Sequence, residues 1–155
     1  MRISSIQLDI GWENKEYNYK KAEKFLKISK KNECSIAVFP EMFNVGFSMN
    51  VNSIAERSNS KTTELLIKLA KKYDINIIAG FPEKNEEGKA LNNALIVSNS
   101  GDILAKYTKN HPFSFAKENE YYKAGNEQVL FNIGALSNSK WVSSNYSLWK
   151  NLVFQ

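Results

Sequence analysis

The chain has 155 residues, 43% of them hydrophobic and 24% charged, with a formal net charge of +5. That length accommodates one ordinary domain with a sizeable core, and no apolar run reaches the length of a membrane span. The excess lysines spread mainly over one amphipathic segment rather than forming an Arg-rich or aromatic-basic tract, which argues against nucleic acid as a partner. A single cysteine, Cys34, excludes an internal disulfide framework and a cysteine-based metal cluster. The N-terminal stretch MRISSIQLDIGW alternates rather than forming a signal-peptide core, so the expectation is a mature cytoplasmic protein with no membrane contact.

Ile6, Leu8 and Ile10 have the period-two spacing of a strand. Asn14 is placed to cap a helix over residues 15–31, in which Ala22, Phe25, Leu26 and Ser29 share one face. The short apolar run Ile36-Ala37-Val38-Phe39 reads as a buried strand that Pro40 ends. A polar stretch from Asn50 to Ser60 predicts an ordered loop or a helical turn. Ser60 then caps a second helix whose buried stripe is Leu65, Leu66, Leu69, Ala70 and Tyr73. Residues 74–81 supply another buried strand, which Pro82 is expected to end. Residues 94–98 and 103–107 form a hairpin about Asn99-Ser100-Gly101-Asp102. Residues 128–133 make one more strand. Parallel β-α-β units followed by an antiparallel hairpin predict an α/β fold, of the α+β type, built on a mixed sheet.

Glu41 stands at the exit of the buried strand, followed by Met42, Phe43, Val45 and Phe47. A carboxylate among so many apolar side chains is costly unless it is paired or used. Lys109 follows the hairpin strand, and Glu118 lies in an aromatic-rich loop beyond it. Taken singly, each of the three is also explained as a surface charge. His111, before Pro112, reads as a loop-packing or turn residue. With no second histidine and no carboxylate pair at metal spacing, no metal site is expected.

Together, FPEMFNVGFSM, GFPEK with NNALIVSNSGDILAKYTK, and HPFSFAKENEYYKAGN resemble the carbon–nitrogen hydrolase (nitrilase) superfamily, with the HPFSFA loop closest to its omega-amidase-like branch. The resemblance runs in order from Met1 to about Ile133. It implies a four-layer α-β-β-α sandwich, present here in part over residues 1–134, a homodimer, and small carboxamides as substrates, with no cofactor. It also implies roles: Glu41 as general base, Lys109 as the fixed charge that stabilises an oxyanion, and Glu118 as the supporting carboxylate. Such a base removes a thiol proton, and the thiolate attacks the amide carbon to give an acyl-enzyme and ammonia.

The family nucleophile, a cysteine in a pattern like C-Y-D-x-R-F-P, has no counterpart in GALSNSKWVSSNYSLWKNLVFQ. Ser143 and Ser144 lack the motif around them. Cys34 precedes its strand at the end opposite Glu41, roughly 20 Å away at about 3.3 Å per residue. The chain as written is therefore expected to be inactive alone, either a truncated fragment or an interaction module that pairs with a complete homologue. Residues 135–155 are read as a divergent tail rather than a separate domain. Loss of half a sandwich would expose sheet edges, which predicts poor solubility or dependence on a partner. If the tail arose by frame-shift, sequencing the encoding DNA will find a C-Y-D-like segment in another reading frame, here or just downstream; finding none in any frame refutes that origin.

Overall fold

A computed structural model describes residues 1–86, 88–133, 141–143 and 152–154, the last two segments as backbone alone. Helix α1 (Lys15–Lys31) begins where the Asn14 side chain accepts a hydrogen bond from the Tyr17 N–H, and it ends on Lys30 and Lys31, charges that suit a helix C-terminus. Its buried face is Asn18, Tyr19, Ala22, Leu26 and Ser29; Phe25 is only partly buried. Helix α2 is the single turn Val51–Ile54. Helix α3 (Lys61–Tyr73) is capped by Ser60, which accepts from the Thr63 N–H, and it buries Leu66, Leu69 and Ala70. Leu65 and Tyr73 pack at the margin of the same core.

Strands β1 (Ile3–Ser5), β2 (Ile36–Val38), β3 (Asn76–Lys84), β4 (Ala90–Val97) and β5 (Ile103–Thr108) lie side by side in that order. The first three are parallel and the last three antiparallel, as the sequence pattern required. Alternation along the strands divides two cores. Ala37, Phe39, Ile77, Ala79, Phe81, Leu95 and Val97 pack beneath α1 and α3. Ile36, Val38, Ile78 and Ile96 point to the opposite face, where Ile133 and Phe131 meet them. Strand β6 (Tyr122–Lys123) pairs with β4 at Ala90 and Leu91, just past the end of the β5 ladder at Asn93. Strands β7 (Leu130–Phe131), β8 (Trp141–Ser143) and β9 (Leu152–Phe154) form a small antiparallel sheet.

Four strand boundaries differ clearly from the sequence reading, β4 among them, which begins at Ala90 rather than Ala94. Strand β1 stops at Ser5, well short of Ile10, because its neighbour turns away at Pro40; the Ile6 N–H already takes the carbonyl of Val38, the last residue of β2. The strand expected over 128–133 is reduced to Leu130–Phe131. Most important, Pro82 does not end β3, which runs through it to Lys84. At Pro82 the backbone faces away from β4, toward the side that β2 has already left. No ladder N–H is needed there, and the Pro82 carbonyl accepts from the Glu56 N–H. The tail expected over 135–155 lies for the most part outside the described residues, Ser144 included. Among the described residues no helix is long and apolar enough to cross a membrane.

Phe39 is fully buried, with its ring centroid 5.4 Å from that of Phe43. Phe39→Ala is expected to cost about 3–5 kcal/mol, whereas Pro82→Ala, which removes no ladder bond, should cost about 1 kcal/mol or less. Urea unfolding midpoints of the two variants check the contrast.

Candidate active site

Two interruptions in the sheet build the site. After β2 the chain leaves at Pro40, and residues 41–46 turn back on themselves, with Val45 and Gly46 N–H groups both donating to the Met42 carbonyl. Met42 takes a positive φ of 51° although it carries a fully buried side chain, a strained conformation held by this turn. The turn sets Glu41 beside the sheet with a quarter of its side chain exposed, so it is a carboxylate at the mouth of the site rather than one sunk among apolar groups. On the other flank, β5 ends at Thr108 and β6 resumes the same line at Tyr122. Residues 109–121 leave the sheet between them, carrying Lys109 at one end and Glu118 near the other. Lys117 has φ 58°, so each carboxylate adjoins a non-glycine residue in the left-handed region.

The three residues singled out from sequence meet. Lys109 Nζ donates to Glu41 Oε1 at 2.9 Å and to Glu118 Oε2 at 2.8 Å. Glu118 is fully buried and Lys109 nearly so. Asn92, on β4 at the gap between the β5 and β6 pairings, completes a ring. Its Nδ2 donates to Glu41 Oε1 at 2.6 Å and to Glu118 Oε1 at 2.9 Å. Glu118 Oε2 also accepts the Phe113 N–H. Both oxygens of Glu118 are thus committed, while both donors to Glu41 converge on a single oxygen. The floor is the facing pair Gly80 and Ala94, small residues that leave a cavity of about 10 Å³ lined also by Glu41, Asn92, Asn93, Tyr107 and Lys109. A volume of that order holds a single water. A larger cleft, about 460 Å³ and lined by Leu91, Lys106, Thr108 and Lys123 among others, contains none of the three charged residues.

Burial pushes the Lys109 ammonium toward its neutral form, but the hydrogen bonds to Glu118 and Glu41 and their charges outweigh it. The net direction is upward from the ordinary 10.5, and Lys109 is cationic at neutral pH. The Phe47 ring, 5.3 Å from Nζ, adds a cation–π contact. Tyr122 donates its hydroxyl to the Ser48 carbonyl; burial and then the charges of Glu118, Glu41 and Glu13 hold that phenol well above its usual range.

The other sequence candidates stay away from this ring. Cys34 lies in the turn between α1 and β2, half-buried against the helix-side core, and its N–H bonds to the Ser29 carbonyl. His111 is exposed in the bend after Lys109. Ser143 ends β8. Among the described residues no group of three His, Cys, Asp or Glu side chains is arranged to hold a metal. Asn92 was missed. The available signal was the polar pair Asn92-Asn93 interrupting an apolar strand, since buried amides need partners.

The raised Lys109 value has a pH consequence. The stabilisation it represents is fully present below pH 10.5 and is lost as the pH climbs through the higher folded-state value. Lys109→Met, which leaves a fully buried carboxylate without its cation, is expected to cost about 3–5 kcal/mol near neutral pH. The gap between this variant and the unsubstituted chain should close above pH 10.5, as read from denaturant midpoints across the alkaline range; a constant gap contradicts the assignment.

The carbon-nitrogen hydrolase family profile matches residues 2–138. Among curated relatives, the 2-oxoglutaramate amidase of Bacillus subtilis (strain 168) is 27% identical over 163 residues, covering 98% of this chain and 62% of that protein. An omega-amidase of Xenopus laevis is 31% identical over 113 residues, covering 72% of this chain and 41% of its own length. The chain therefore spans about two-fifths to three-fifths of these relatives. A CN-hydrolase superfamily protein from Xanthomonas campestris superposes with a TM-score of 0.80 at 24% identity, over 92% of this chain and 51% of that one. Nit3 of Saccharomyces cerevisiae, a member of the nitrilase superfamily, gives 0.76 at 24% identity, over 85% and 51%. These two likenesses establish the fold. With the profile match covering most of its length, the chain belongs to the carbon-nitrogen hydrolase family, and omega-amidases are among its relatives.

Proposed function

We propose that this chain carries the acid–base half of an amide-hydrolysing site for small carboxamides, with the ω-amides of 2-oxo acids as the substrate class. The observation that supports this most directly is the unequal loading of the two carboxylates around Lys109. Glu118 is buried with both oxygens engaged, which suits an anchor. Glu41 is partly exposed, and its hydrogen bonds fall on Oε1, which leaves Oε2 for proton transfer.

In this reading Glu41 takes the proton of a thiol as sulfur attacks the amide carbon. The Lys109 charge stabilises the oxyanion of the tetrahedral intermediate. Collapse breaks the C–N bond, and the proton held by Glu41 goes to the departing nitrogen, releasing ammonia. Glu41 then activates water, which cleaves the thioester to the acid and restores the thiol. The 155 residues contain no cysteine other than Cys34, so in this reading the thiol comes from outside these 155 residues. A second reading, a non-catalytic module that pairs with a complete homologue, rests on that same absence. A homodimer falls within the same proposal.

Fragment complementation separates these readings. The chain alone is expected to release no ammonia from small carboxamides. Co-expressed with the thiol-bearing segment of a complete omega-amidase, it should release ammonia, and Glu41→Ala in this chain should lower that rate at least a hundredfold. A complex that forms but stays silent favours the non-catalytic module. Ammonia released by the chain alone and lost in Glu41→Ala overturns the requirement for a separate thiol.

A further inference from the structure

Asn92 carries more of the site than its neutral side chain suggests. It is 5% exposed and sits on β4 opposite Pro82, where β5 has ended and β6 has not yet begun. Its backbone carbonyl accepts the Lys109 N–H, so the residue fixes the lysine through the main chain and the carboxylates through the side chain. Two carboxylate oxygens, from Glu41 and Glu118, lie 2.6 and 2.9 Å from one side-chain atom. Only an NH₂ group tolerates two anionic acceptors at that range, which fixes the orientation of the amide. An acidic side chain here would put three carboxylates around one ammonium, and a basic one would give Glu41 a second cation. An amide donates twice and leaves the charge balance alone.

We propose that Asn92 is a positioning residue, clamping Glu41 and Glu118 through one amide so that Glu41 presents Oε2 to the reacting proton. This rests on Glu41 being the base. The clamp itself can be read without turnover, so its failure and the failure of the amidase reading are distinguishable.

NMR of the isotopically labelled 155-residue chain reads it directly. The two Asn92 side-chain amide protons should be resolved from each other and exchange slowly. Glu41→Gln should shift one of them and Glu118→Gln the other. In Asn92→Ala, where Lys109 alone still holds Glu41 Oε1, the shift difference between the two γ protons of Glu41 should shrink, a change that a purely structural role would not produce. Asn92 amide protons that exchange as fast as those of exposed Asn59, or that ignore both Gln substitutions, overturn the proposal. So does a Glu41 γ-proton shift difference that is unchanged in folded Asn92→Ala. The two Gln variants keep Asn92 in place, and they decide the matter should Asn92→Ala not fold.

Discussion

Lys109 takes its ammonium to a place where only 10% of the side chain meets solvent, and the surrounding backbone is arranged around the cost of keeping it there. Removing such a charge from water costs several kcal/mol, recovered only when its partners are close and well oriented. Two carboxylates within 3 Å supply the attraction, and they bring the opposite difficulty, since two anions share one cation. The residual negative charge is spread over donors that carry no charge of their own, the Asn92 amide and the Phe113 N–H. Such charge-assisted bonds are stronger than neutral ones. The ring is consequently interdependent: without Lys109 the fully buried Glu118 loses its cation, and without Asn92 its Oε1 loses its donor.

The sheet explains how three residues so far apart in sequence come together. The β3–β4 ladder is the longest in the molecule's described part, with eight residue pairs, and it outruns its neighbours on both flanks. β2 gives way at Pro40, and β5 breaks before β6 resumes, so each flank releases a loop at the same level of the ladder. Glu41 comes from one loop; Lys109 and Glu118 come from the other. Two non-glycine residues with positive φ, Met42 and Lys117, stand next to the two carboxylates. Strain of this kind costs of order 1–3 kcal/mol per residue and persists only where surrounding structure over-determines it. Here the buried Met42 side chain and the paired Glu118 do so.

Local chemistry made the helices legible in advance. Asn14 and Ser60 are helix caps because their side chains bond backbone N–H groups, a decision taken within three residues. The mixed sheet followed from the change of rhythm between Tyr73 and Tyr107. Pro82 misled because the rule against proline in strands concerns a missing ladder N–H, and sequence does not reveal that β2 has already left that side. Glu41 stood out as a carboxylate at the exit of an apolar strand, but motif resemblance linked it to Lys109 and Glu118, since separations of 68 and 9 residues say nothing by themselves about proximity. Asn92 carries no formal charge that would mark it in sequence; its importance comes from geometry, one amide that reaches two anions.

The same ring bears on whether the site is a relic of fold stability or a piece of chemistry. Apolar side chains of similar volume can replace a buried ion network at little or no cost, and sometimes with a gain. A purely structural role would therefore be met more simply by a hydrophobic plug between β4 and the two loops. The ring instead keeps one carboxylate partly open to solvent with an oxygen left over, on a floor of Gly80 and Ala94 that leaves space instead of filling it. A spare carboxylate oxygen beside a small cavity adds little to stability, and it is what the proposed proton transfer would use. That asymmetry between Glu41 and Glu118 is what supports the proposed catalytic role over a structural one, and it does so whether or not the thiol resides on this polypeptide.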